Sequence, residues 1–285
     1  MRRLPFVLLT AALVAGCDRG ASDGNGVTID LRRAGTPGGG APLPRIFGAR
    51  DASRPLVVLD AGHGGKDPGA ASPFSGRPEK EVTLAIARAI GEALAASGKV
   101  RVALTREDDR FLVLTDRYEI ARRLGADLFI SIHADAAPHS DNARGATIYT
   151  LSEVASDRQA ALLAAEQNAS QRLGDATLSG NGNVDRILID LAQRESMDVS
   201  ARFAALLKRE GSAYFPFRPD YHRFASLVVL KAPDVPSILF ETGYLTNPTD
   251  AAYIQSPEGR TQIAQGMRSA IETYFATRRV KLAER

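Results

Sequence analysis

The sequence predicts an α/β fold: a single domain on a mixed, mostly parallel twisted sheet, covered by helices on both faces, with a helical insertion. Two observations carry this. From Val57 onward, short apolar runs alternate with segments of helical period, the pattern of strands covered by helices. Three of those runs lead straight into ionisable residues, in VVLDAGHGG (57–65), LFISIHADA (128–136) and SILFETGYLTN (237–247). A parallel sheet would bring these residues to one edge, where ligands bind in open α/β sheets.

The elements follow in order. Val57, Val58 and Leu59 read as a buried strand, and Gly62, Gly64 and Gly65 allow a sharp turn that presents His63 at its carboxyl end. Glu79 to Ser97 is a helix with Val82, Ile86, Ile90 and Leu94 on one stripe. Val100 to Leu104 is the next strand, Thr115 to Leu124 a second helix, and Asp127 to Ile132 a strand ending at His133. Ala146 to Leu151, Leu227 to Leu230 and Ser237 to Phe240 supply further strands. Pro257 to Phe275 is a closing helix with Ile263, Met267, Ile271 and Tyr274 inward. Between the strands near Thr147 and Leu227 lie about 75 residues without a strand signal. There, Ala155 to Leu173 is helical, Gly174 to Asn183 a loop, and Val184 to Lys208 helical again. This insertion, 152–211, is either extra packing or a cover.

The N-terminus joins Arg2 and Arg3 to an apolar run from Leu4 to Gly16, too short to span a membrane and built like a secretory signal (1–16). Val14-Ala15-Gly16-Cys17 resembles the lipobox of bacterial lipoproteins, which implies lipidation at Cys17 and a membrane anchor. Asp18 after it points to the inner membrane, hence a periplasmic lipoprotein. Residues 17–54, rich in Gly, Pro, Asp and Arg, read as a flexible tether, 55–278 as the folded domain and 279–285 as a tail. Cys17 is the only cysteine, so neither disulfides nor a thiolate site can form within the domain. Without Arg2 and Arg3 the charges balance at 34 basic against 33 acidic, which leaves no electrostatic footprint for nucleic acid.

Two histidines and a carboxylate, with one position open for water, make the ligand set of many catalytic zinc sites. His63 and His133 supply the imidazoles. Glu241, Glu79 or Glu81 could supply the carboxylate, and spacing alone does not separate Glu79 from Glu81 at the start of their helix.

DAGHGGKDPGA, PEKEVTLAIA, TREDD, SIHADA and LKAPDVPSILFETGYLTN, in that order, resemble the zinc-dependent N-acetylmuramoyl-L-alanine amidases, in the branch associated with cell division. The resemblance implies one zinc ion held by His63, Glu79 and His133, with Glu241 as catalytic base, cleaving peptidoglycan between N-acetylmuramic acid and L-alanine. It also implies that Ala164 to Gly174 covers the metal until an activator protein displaces it, with Glu166 as the inhibitory contact. Ile187, Leu188 and Leu191 are then candidates for the activator's grip. His139 and His222 match no ligand of the family and read as surface residues. The ligand set by itself also fits zinc hydrolases of other amides. A silent wall-binding regulator would be expected to lack a ligand or the base, and all four positions are filled.

Overall fold

The computed structural model describes residues 41–136, 143–173 and 183–283. The strands are β1 (Phe47–Gly48), β2 (Leu56–Ala61), β3 (Arg101–Leu104), β4 (Leu128–Asp135), β5 (Ala146–Leu151), β6 (Phe217–Ala225) and β7 (Ser237–Tyr244). They form one sheet in the order β1-β3-β2-β4-β7-β5-β6. β3, β2, β4 and β7 run parallel, β1 lies antiparallel to β3, β5 antiparallel to β7, and β6 parallel to β5.

The helices are α1 (Glu79–Ser97), α2 (Leu114–Leu124), α3 (Arg158–Ala169), α4 (Asn183–Gly211), α5 (Pro248–Gln255) and α6 (Pro257–Ala283). Strand alternation divides the apolar side chains between two cores. Val57, Leu59, Ile130, Ile132 and Phe240 pack with Ile86 of α1, Phe203 of α4 and Met267 of α6. On the other face Val58, Phe129, Tyr149 and Leu239 pack with Ala121 of α2 and Leu163 of α3. Each buried Val, Leu or Ile contributes about 1.5–3 kcal/mol. The stripe of α1 is therefore a main anchor: Val82, Ile86, Ile90 and Leu94 are all buried, and Gly98 ends the helix in the left-handed region.

Four expectations need correction. The tether does not remain free to Arg54: Phe47 packs beside α1, and Phe47–Gly48 adds β1 to the sheet. Two residues are too few to leave a periodic signal. Leu227 to Leu230 is not a strand, since Val228–Leu230 forms a 3₁₀ turn whose apolar residues pack into the second core. The strand is instead β6, whose sequence FRPDYHRFA includes a proline and exposed polar residues because it lies at the sheet's edge. Nor is 152–211 a single insertion. Phe203, Ala204 and Leu207 of α4 are fully buried in the first core, so α4 belongs to the domain and only α3 with its following 3₁₀ turn, Ser170–Leu173, overlies the other face. Finally, the closing helix runs past Phe275 and through most of the expected tail, to Ala283.

Candidate active site

His63 follows β2 and adopts φ 61°, alone among the described non-glycine residues in having a positive φ. Two buried arginines hold this turn. Arg117 donates to the carbonyls of His63 (2.7 Å) and Ala61 (2.8 Å) and to Asp60 Oδ1 (2.9 Å). Arg106 donates to the carbonyls of Ala61 (2.9 Å) and Gly62 (2.8 Å). A Cβ on Gly62 would stand 2.4 Å from the ring of His133, so this glycine lets an imidazole lie against the backbone.

Glu79 opens α1, where the positive end of the helix dipole favours its charge. Oε2 accepts from Ala70 N (3.0 Å) and Oε1 from Ala134 N (3.0 Å). The same oxygens lie 3.1 Å from His63 Nε2 and His133 Nδ1. Burial would raise the pKa of this carboxyl, but the two imidazoles outweigh it and hold the group well below the usual carboxylate range. Burial likewise opposes protonation of His63, yet Glu79 and Asp67 raise its pKa to about 9. For His133 burial prevails over Glu79 and the pKa falls. Glu81, two residues on, is exposed and pairs with Arg77 at 3.2 Å.

His63, Glu79 and His133 each offer a ligand atom, and these lie within 4.8 Å of one another. Tetrahedral bonds of about 2.0–2.2 Å separate zinc donors by about 3.3–3.6 Å, so a small inward shift of these side chains would seat such an ion. The observation that favours it is His63 Nε2, which is buried without a hydrogen bond; its 3.1 Å approach to Glu79 lies outside bonding geometry. The opposite nitrogen, Nδ1, meets Asp67 Oδ2 at 3.0 Å, which fixes the tautomer and aims Nε2 at the group.

Glu241 lies within β7 rather than after it, in register with His133 on β4 and Thr147 on β5. It is fully buried, and neither carboxylate oxygen has a hydrogen-bond partner. Burial first, then the charges of Asp135, Glu79 and Glu166, push its pKa well above the ordinary value. The Asp135 backbone N–H opposes this from outside bonding geometry. Asp135 itself is raised to about 7, first by burial.

Glu166 stands on α3, exposed and outside the three-residue group, although its charge reaches both Glu241 and Asp135. Its helix is clasped to the domain. Asn168 donates to Ser226 O (2.8 Å) and accepts from Val228 N (2.8 Å). Asp157, the N-cap of α3, pairs with buried Arg223, and Lys66 of the His63 loop donates to Leu173 O. Leu191 is exposed, while the side chains of Ile187 and Leu188, like Cys17 and His139, lie outside the described residues. His222 is half-buried in β6 and contacts Thr150 Oγ1 at 2.9 Å. Sequence reasoning missed Asp67, Asp135, Arg106 and Arg117. Asp67 had a local signal, four residues after His63 in HGGKD, but the arginines are distant in sequence.

Two imidazoles and two carboxylates, one of them from the start of α1, thus meet near the carboxyl ends of the parallel strands of an open α/β sheet, and three of the four could hold a metal ion. Residues 57–273 match the N-acetylmuramoyl-L-alanine amidase family, to which this chain belongs. The amidase AmiC of Neisseria meningitidis is 39% identical over 235 residues, 82% of this chain and 56% of the relative. The amidase AmiA of Escherichia coli is 36% identical over 77% of this chain and 76% of the relative. The solved amidase AmiC2 of Nostoc punctiforme is 26% identical, with a TM-score of 0.57 over 79% of this chain and 99% of that one. The chain thus spans little more than half the length of its meningococcal relative.

Proposed function

We propose that the protein is a zinc-dependent N-acetylmuramoyl-L-alanine amidase that cleaves peptidoglycan during cell separation or wall remodelling. The observation that carries this reading is one juxtaposition: a three-ligand group beside a buried, unbonded carboxylate on the adjoining strand. A zinc ion held by His63, Glu79 and His133 would supply a Lewis acid that acidifies water and polarises the scissile carbonyl. Glu241 takes the proton of the attacking water and returns it to the departing L-alanine amine. Its desolvated surroundings favour the protonated form, which suits the second of these steps.

Further parts of the proposal rest on the sequence and on the placement of α3. Residues 1–16 serve as a signal and Cys17 as the lipidated end of a periplasmic, membrane-anchored protein, with the inner membrane favoured by Asp18. The catalytic domain runs from β1 at Phe47 through α6, which ends at Ala283. The segment α3 with its 3₁₀ turn covers the site at rest, Glu166 biasing Glu241 electrostatically, and an activator protein lifts it.

The test is to incubate purified wall with the parent and with Glu241→Ala and to identify released peptides by mass spectrometry. Free L-alanine amino termini from the parent, with bound zinc but no release in the variant, are expected. Full activity in the variant overturns the role of Glu241, and other termini overturn the substrate.

A further inference from the structure

Thr147 sits on β5 directly opposite Glu241 of the antiparallel β7. Directly opposed residues share a face of the sheet, with Cβ atoms about 4.5–5.5 Å apart. Both side chains are buried, at 0% exposure. Among the described residues few buried side-chain atoms lack a hydrogen-bond partner, and Thr147 Oγ1 and both oxygens of Glu241 are three of them. An unused donor thus faces two unused acceptors across one rung of the sheet.

Unlike Thr147, the two tyrosine hydroxyls that this carboxylate acts on each have a hydrogen-bond partner, although as acceptors that keep their own O–H proton. Tyr149 accepts from Arg223 Nη1 at 3.4 Å, and Tyr244 accepts from Arg218 Nη1 at 2.5 Å. Beyond His133, on the opposite side of Glu241, the imidazole is turned to Glu79 at 3.1 Å. A buried hydroxyl without an acceptor destabilises a fold, whereas valine fills the same volume without that cost. The hydroxyl at 147 is explained if its acceptor is the neighbouring carboxylate.

We propose that Thr147 is a positioning residue: its hydroxyl donates to the Glu241 carboxylate and holds it toward the reacting water. This rests on the reading of Glu241 as the base. The hydrogen bond forms to the ionised group, so it favours the state that accepts a proton, and it removes rotamers that turn the carboxylate from the three-ligand group.

The test compares the full chain with Thr147→Val and Thr147→Ser, measuring kcat and KM on solubilised peptidoglycan and zinc content for each. In addition, the C=O stretch of protonated carboxyls and the carboxylate stretches of the metal-free proteins are recorded across pH, with Glu241→Gln identifying the Glu241 band. Thr147→Val is expected to lower kcat at least about tenfold with KM and zinc content within about twofold. Thr147→Ser, which keeps the donor, is expected to stay within about threefold of the parent. The Glu241 band moves in the valine variant and not in the serine variant. An unmoved band in Thr147→Val, or a serine variant no better than the valine one, overturns the proposal. If the parent itself releases no L-alanine termini, the amidase reading fails while the band still decides the hydrogen bond.

Discussion

His63 Nδ1 lies 3.0 Å from Asp67 Oδ2, a contact made inside one short loop yet essential to what the loop presents. With Nδ1 occupied by Asp67, Nε2 is left to face Glu79 and His133. Carboxylates that orient ligating histidines typically change metal affinity about 10–100-fold when removed. Asp67→Ala is therefore expected to weaken zinc binding by that factor, measured by competition with a chromophoric chelator. Unchanged affinity would show that the loop backbone alone aims the ring.

Metal uptake is expected to release a proton. In the metal-free protein Glu79 and Asp67, against the effect of burial, raise the pKa of His63 to about 9, so near neutral pH the ring is protonated. A ligand must be neutral, so that proton leaves when the ion binds. Affinity then rises with pH until about 9 and levels off beyond it. Calorimetric titration near neutral pH in buffers of different ionisation enthalpy should return about one proton per ion. A value of zero contradicts the protonated resting state.

Beneath the site, Asp60 and Arg117 form a buried ion pair at 2.9 Å. Burial alone would raise the Asp60 pKa, but Arg117 and the hydroxyls of Thr105 and Ser131 bring it below the usual value. Such a carboxylate contributes stability above its unfolded pKa of about 3.9, and that stability is lost as pH falls through the lower folded value. Asp60→Asn leaves Arg117 buried with an uncompensated charge, a loss of about 3–5 kcal/mol. Thermal melts at pH 7 should show a Tm lower by about 10 °C. Between pH 5 and pH 3 (roughly the window around that unfolded value) the parent should lose more stability than the variant.

Asn168 closes two hydrogen bonds to the Ser226–Val228 backbone and so holds α3 down. If α3 restrains the site, Asn168→Ala raises the basal rate of wall hydrolysis several-fold, read by release of dye from labelled peptidoglycan. A folded variant at the parent's rate speaks against a cover.

Much of this arrangement was legible in the chain itself. The apolar runs before His63 and His133 and the run leading to Glu241 located β2, β4 and β7, because buried parallel strands need continuous hydrophobic sequence. What periodicity did not reveal lies where burial is partial or contacts are distant. β6 is an edge strand with polar residues, and β1 rests on Phe47 alone. Choosing Glu79 over Glu81 needed the family resemblance or the fold, since both open the same helix and only the face each presents separates the buried carboxylate from the exposed one. The buried arginines were hidden because charged side chains read as surface until a partner such as Asp60 is known.

The left-handed backbone at His63 carries local strain. A side chain at φ 61° costs about 1–2 kcal/mol relative to a relaxed residue, and glycine carries no such penalty. The strained turn is held by the buried pairs of the ring with Asp67 and Glu79, so His63→Gly should abolish zinc uptake and, by leaving two buried carboxylates without their partner, lower the melting temperature of the metal-free protein. The two carboxylates that prepare the metal site thus also keep an unfavourable backbone turn in place before any ion arrives.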